Sequence, residues 1–138
     1  MIATRSSDVD VPGFSETLPC KAESVSRARR LIRTSLNTWG LDGLIDSGVL
    51  VVSELVANSV QHSGCTLVRV SVQRRAEDRV RVTVSDKCRD MPVLGGPGAD
   101  DETGRGLAIV EYLADVWTVD RRRWGKVVWA ELIVKASA

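Results

Sequence analysis

Val49-Leu-Val-Val-Ser-Glu-Leu-Val-Ala-Asn-Ser-Val-Gln-His-Ser-Gly64 reads as one buried helix, and the other segments take their places around it. Residues 49 to 52, Leu55, Val56 and Val60 are apolar and cover most of the helix circumference. Glu54, Asn58 and Gln61 fall at i, i+4 and i+7, so they form a polar stripe on an otherwise apolar rod. A carboxylate and a carboxamide thus project from adjacent turns toward the same place.

Burying an unpartnered carboxylate costs several kcal/mol, so this stripe must face a partner, solvent or a ligand cleft. Mg²⁺ chemistry suits it. That ion takes oxygen ligands, keeps several waters and is usually held by one or two protein groups plus substrate phosphates. The Asn58 amide oxygen is a candidate ligand, and Glu54, one turn earlier, is placed to accept a proton from a water or hydroxyl attacking a terminal phosphate. Taken alone, Glu-x-x-x-Asn more often marks the solvent-facing stripe of an ordinary core helix, since the spacing arises by chance on any helix.

At 138 residues and 43% hydrophobic content the chain fits one globular domain. Residues 1–13 mix Ser, Asp, Val, Pro and Gly without periodicity and read as a flexible tail, which leaves 14–138 for the domain. The cations are 15 Arg and 4 Lys, offset by 18 acids to a net charge of +1, a balance that argues against direct nucleic-acid binding. Cys20, Cys65 and Cys88 are an odd number without CxxC spacing, which fits neither a disulfide framework nor a zinc site. The expected setting is a reducing cytoplasm with no membrane association, since no signal peptide or spanning run is evident.

Phe14 to Leu18 reads as an edge strand. Ser24 is the candidate N-cap of a helix with Val25, Ala28, Ile32, Leu36 and Trp39 on its apolar face and Gly40 as its stop. Arg27, Arg29, Arg30 and Arg33 lie mainly on the other face, and Leu31 is taken as exposed, which suits a homodimer or partner contact. After a linker at 41–44 comes the central helix. His62, the only histidine, falls in its last turn, where a dipole interaction or capping role suits it better than catalysis.

Val68, Val70 and Val72, then Val80, Val82 and Val84, alternate with polar residues, which predicts a hairpin linked by 75–79. One face of each strand is polar, so helices should cover one side of the sheet and water the other. Asp86 ends the second strand, and 87–106 is a glycine-rich loop that reads as a lid. Gly104-Arg-Gly-Leu107 then opens a helix, and backbone N–H groups at such a start make a phosphate cradle. A second hairpin, 116–120 and 126–134, closes the chain.

Together, Glu54-x-x-x-Asn58 on a helix, Asp86 after a strand, the glycine-rich loop and Gly104-x-Gly106 opening a helix resemble the N, G1 and G2 boxes of the GHKL ATPases. This superfamily includes gyrase, histidine kinases and mismatch-repair proteins. Gly104-Arg-Gly-Leu-x-Ile-Val-x-x-Leu-Ala-Asp-x-Trp117 and Gly125-Lys-x-Val-Trp-Ala-Glu-Leu132 look most like its small bacterial branch, the anti-sigma-factor serine kinases. The resemblance implies a Bergerat-type α/β two-layer sandwich: a mixed, mostly antiparallel sheet with helices on one face and ATP between the helices and the loop. It implies ATP and Mg²⁺ as cofactors, Asn58 as metal ligand and Glu54 as catalytic base. Asp86 would accept the adenine amino group; Gly104, Arg105, Gly106 and Leu107 would form the phosphate-binding turn.

The implied partners are a sigma factor, which the protein binds, and a small anti-anti-sigma protein, which it phosphorylates on serine or threonine. Cys88 and Asp90 depart from the pattern by placing side chains where the family has glycine, and Val127 stands where a Thr is often found near the adenine. The alternative is a non-catalytic, or weakly nucleotide-binding, partner-switching module of the same fold. A domain detached from a sensor histidine kinase is disfavoured, because the only histidine lies in the ATP-site helix itself. A plain α+β interaction domain outside this superfamily is the remaining reading.

Overall fold

The computed structural model describes residues 12–62, 66–87 and 107–135. In chain order these form β1 (Gly13–Pro19), α1 (Ser24–Thr38), a 3-10 turn (Asp42–Leu44), α2 (Ile45–His62), β2 (Leu67–Ala76) and β3 (Arg79–Asp86). The helical residues 107–113 form α3, followed by β4 (Val116–Arg122) and β5 (Gly125–Ile133). The strands make one sheet in the order β1-β2-β3-β5-β4, and every described pairing is antiparallel. This is the two-layer α/β architecture that the sequence predicts, consistent with a Bergerat-type ATP-binding fold.

Period-two alternation assigns the two faces of the sheet. Leu18, Val68, Val70, Val72, Val80, Val82, Val84, Val128, Ala130 and Leu132 point to the covered face and are buried. Ala28, Ile32 and Leu36 of α1, at four-residue steps, meet them together with Val51, Val52, Leu55 and Val56 of α2. Val110 of α3 joins the same core, with Leu107, Leu113 and Ala114 packed against it. Gly48 lets α1 lie close to α2, since a methyl group there would meet Ile32 Cγ2 at 2.9 Å. Of the described residues, Asp42–Gln61 is the one stretch long and apolar enough to cross a membrane, and Leu44, Val51, Val52, Leu55 and Val56 within it are buried in this core.

Several local expectations are corrected. Ser24 is the first residue of α1 and Glu23 occupies the cap position; the Ser24 hydroxyl instead donates to the Pro19 carbonyl at 2.6 Å, tying the helix start to the end of β1. Leu31, expected to be exposed, is half-buried against the core. The β2–β3 link is only Glu77-Asp78, because both strands run further than alternation shows, with a register shift between Arg74 and Ala76. Gly40, at φ 70, does follow the end of α1, and the Leu41 N–H reaches back to the Leu36 carbonyl.

The other face of the sheet carries Arg69, Ser71, Gln73, Arg79, Arg81, Thr83 and Ser85, with Glu131 at its centre. Glu131 is buried, yet it accepts hydrogen bonds from Arg79 at 3.2 Å and Arg81 at 2.9 Å, with Arg75 within 4.0 Å. The Arg81 guanidinium also stacks 3.8 Å from the centre of the Trp129 ring. Removing the carboxylate would therefore leave several guanidinium groups crowded together without their counter-charge.

Asp115 joins the end of α3 to the end of β5. Its Oδ1 accepts from Lys135 Nζ at 2.8 Å and its Oδ2 from the Ile133 N–H at 2.9 Å. The Lys135 hydrogen bond, aided by the Ile133 amide and the positive charges of Lys135 and Arg79, outweighs the opposing effect of burial and holds the carboxyl below its usual range. Because the folded pKa is lowered, this stabilisation is complete above the ordinary Asp range and is lost as pH falls through the folded value. Asp115→Asn is expected to melt below the wild type at neutral pH, with the gap closing in strong acid. A gap of constant size across thermal melts from neutral to acidic pH would assign the loss to packing instead.

Candidate functional site

The site forms where the C-terminal half of α2 lies over the end of β3 and the start of β5. Asp86, the last residue of β3, is buried on the helix-covered face, and its Oδ2 accepts the Ser59 hydroxyl at 3.0 Å. Ser59 follows Asn58 and is itself buried, so this bond fixes the rotation of α2 over the strand. Asn58 is only 9% exposed. Its Oδ1 accepts from Lys126 Nζ at 3.1 Å, and Lys126 is the cross-strand partner of Asp86. Glu54 is half-buried one turn before Asn58 and makes no hydrogen bond or ion pair among the described residues.

The polar stripe thus divides along its length. Glu54 is half-buried, Asn58 is buried and Gln61 is exposed. The structure brings Asn58 and Asp86 into one cluster through Ser59 and Lys126, neither of which the sequence singled out for a role. Ser59 had a legible signal: it is four residues from Leu55, on the inward face, where a buried hydroxyl needs a partner. Lys126 had none, because its place opposite Asp86 depends on the pairing of β5 with β3, strands far apart in sequence.

Val127 pairs with Ser85, and so lies on the sheet face away from the helices. The residue paired with Asp86 is Lys126. Leu107 is half-buried against the core at the start of the described part of α3. Gly104, Arg105 and Gly106, with Cys88 and Asp90, lie outside the described residues, as does the side chain of His62.

The donor set can be tested against a divalent metal. No three His, Cys, Asp or Glu side chains converge among the described residues, so an all-protein cage is not built there. Asn58 presents a neutral oxygen already aimed at a cation, near the carboxylates of Glu54 and Asp86. That suits a hard ion held by few protein groups, with water and phosphate supplying the rest.

Gly125 holds the site together. It has φ 153, and a Cβ there would come within 2.0 Å of the Asp86 carbonyl oxygen and 2.8 Å of Lys87 Cα. Both the backbone conformation and the close approach demand glycine. Gly125→Ala is expected to destabilise the fold by about 2–4 kcal/mol in denaturant unfolding, as strained or overpacked backbone positions do. Gly43→Ala, where a methyl group meets nothing within 4 Å, is expected to stay near wild type. Equal stability of the two variants would refute the close approach.

A family model for the histidine kinase-like ATPase domain matches residues 18–132. An uncharacterized protein of Streptomyces coelicolor is 37% identical over 75 residues, which cover 51% of this chain and 70% of that protein.

Proposed function

Because the chain belongs to the histidine kinase-like ATPase domain family, we propose that it is an ATP- and Mg²⁺-binding cytoplasmic regulator of the anti-sigma type, a serine/threonine protein kinase acting on a small anti-anti-sigma protein and binding a sigma factor. The observation that carries this reading is the Ser59–Asp86 hydrogen bond, which sets a buried carboxylate beside Asn58 at the end of β3. A buried carboxylate that accepts a hydrogen bond from the purine 6-position selects adenine, which has an amino group there, over guanine, which has a carbonyl. Asn58 is the residue to hold Mg²⁺, and Gly104, Arg105, Gly106 and Leu107 belong to the phosphate-binding turn. When bound, the metal neutralises charge on the phosphates. Glu54, half-buried and in no ion pair among the described residues, is the general base that takes the proton from the substrate hydroxyl.

The second reading, a partner-switching module with weak or absent catalysis, draws on the Lys126–Asn58 contact, since the proposed metal ligand is already engaged. Variant kinetics separate the two. Asp86→Ala is expected to weaken ATP binding by about 1–3 kcal/mol, the cost of deleting a partner in a charge-assisted hydrogen bond. Titration of ATP and GTP with and without Mg²⁺ measures this directly, and unchanged ATP affinity in Asp86→Ala would remove the adenine assignment.

For phosphotransfer, Glu54→Ala is expected to lose about 10²–10⁴-fold in rate while ATP affinity stays nearly intact. Asn58→Ala is expected to damage both. Labelled ATP with candidate anti-anti-sigma proteins supplies the assay. A wild type that binds ATP and such a partner yet transfers no phosphate would leave the binding module as the function.

A further inference from the structure

Lys126 sits where a divalent ion would be expected to bind. Its Cα is paired with that of Asp86 across β3 and β5, and its side chain crosses the covered face to α2. There Nζ lies 3.1 Å from Asn58 Oδ1. An ammonium group only donates, so the atom facing it must be the amide oxygen, the same atom that a hard cation would take. Asn58 is 9% exposed, which leaves little water to screen the contact. A second cation on that oxygen would lie within a few Å of the ammonium, and in a half-buried site the two would repel strongly. Divalent metal and Lys126 therefore cannot share the oxygen in this geometry.

We propose that Lys126 is an internal competitor of Mg²⁺ for Asn58 Oδ1, a positioning residue that sets how much Mg²⁺ the protein needs before it binds nucleotide. This inference rests on the nucleotide-binding reading above and specifies its regulation. In the ligand-free protein the ammonium satisfies an amide oxygen that burial would otherwise leave unpaired. On loading, the ammonium has to leave that oxygen, so part of the metal's binding free energy goes into displacing it. The Mg²⁺ requirement is then a property built into β5.

The test is a Mg²⁺ titration at fixed ATP, with binding of ATP read by isothermal titration calorimetry on the full chain. Lys126→Met keeps the apolar stem and removes the charge. It is expected to lower the Mg²⁺ midpoint by about tenfold, equivalent to about 1.4 kcal/mol. Lys126→Arg, which keeps a cation, is expected to hold the midpoint near the wild-type value. Lys126→Gln, neutral but polar, serves in place of the Met variant if thermal melts show that variant to be misfolded. An unchanged or raised midpoint in the neutral variants, with the wild type binding MgATP, overturns the competition alone. A loss of ATP affinity at saturating Mg²⁺ also overturns it, and makes Lys126 a phosphate contact. Binding by Lys126→Met where the wild type binds no ATP is the competition in its strongest form. Failure of every form to bind ATP overturns this inference together with the nucleotide-binding reading.

Discussion

Gly125 passes so close to the Asp86 carbonyl that no side chain fits between them, and the geometry of the candidate site depends on that approach. Because β5 can enter the sheet flush against the end of β3, Lys126 stands opposite Asp86. With that register set, Asp86 faces α2, where Ser59 donates to it and Asn58 meets the lysine. A shift of one residue between β3 and β5 would send Lys126 to the far face and bring Val127 inward, dismantling the cluster without altering the composition of the core.

That dependence explains what could be read from the sequence and what could not. The helix, its polar stripe, the alternating strands and the covered and uncovered faces follow from local periodicity, and the observed elements bear them out. Local pattern carries no information on the pairing of β3 with β5, so nothing in it marks Lys126 as the residue opposite Asp86. Ser24 shows a smaller version of the same limit. Its hydroxyl suits an N-cap by residue type, but the Pro19 carbonyl lies within reach and takes the hydrogen bond. At Glu54 and Asn58 the helical period placed both residues correctly, while their different burial emerges only from how far along the sheet the helix lies.

The arginine-rich composition also acquires a structural account. Arg79 and Arg81 are bonded to Glu131, Arg27 to Glu16, Arg122 to Asp120, and Arg29 to the Ser53 hydroxyl at 2.8 Å. These guanidinium groups are engaged within the fold. Two carboxylates are buried among the described residues, one on each face of the sheet. Glu131 is surrounded by guanidinium groups on the uncovered face, and Asp86 accepts the Ser59 hydroxyl on the covered face. The first arrangement pins strands together; the second ties the end of β3 to α2.

The field around Asn58 follows from this. The carboxylate of Glu54 lies one turn before it, that of Asp86 lies across the Ser59 bond, and the C-terminal end of α2 lies one turn beyond. A helix C-terminus carries partial negative charge from its unsatisfied carbonyls, and cations gather there. All three sources favour a positive charge at the amide oxygen, and none of them distinguishes an ammonium from a metal ion. The lysine and a divalent ion are therefore alternative answers to one electrostatic demand.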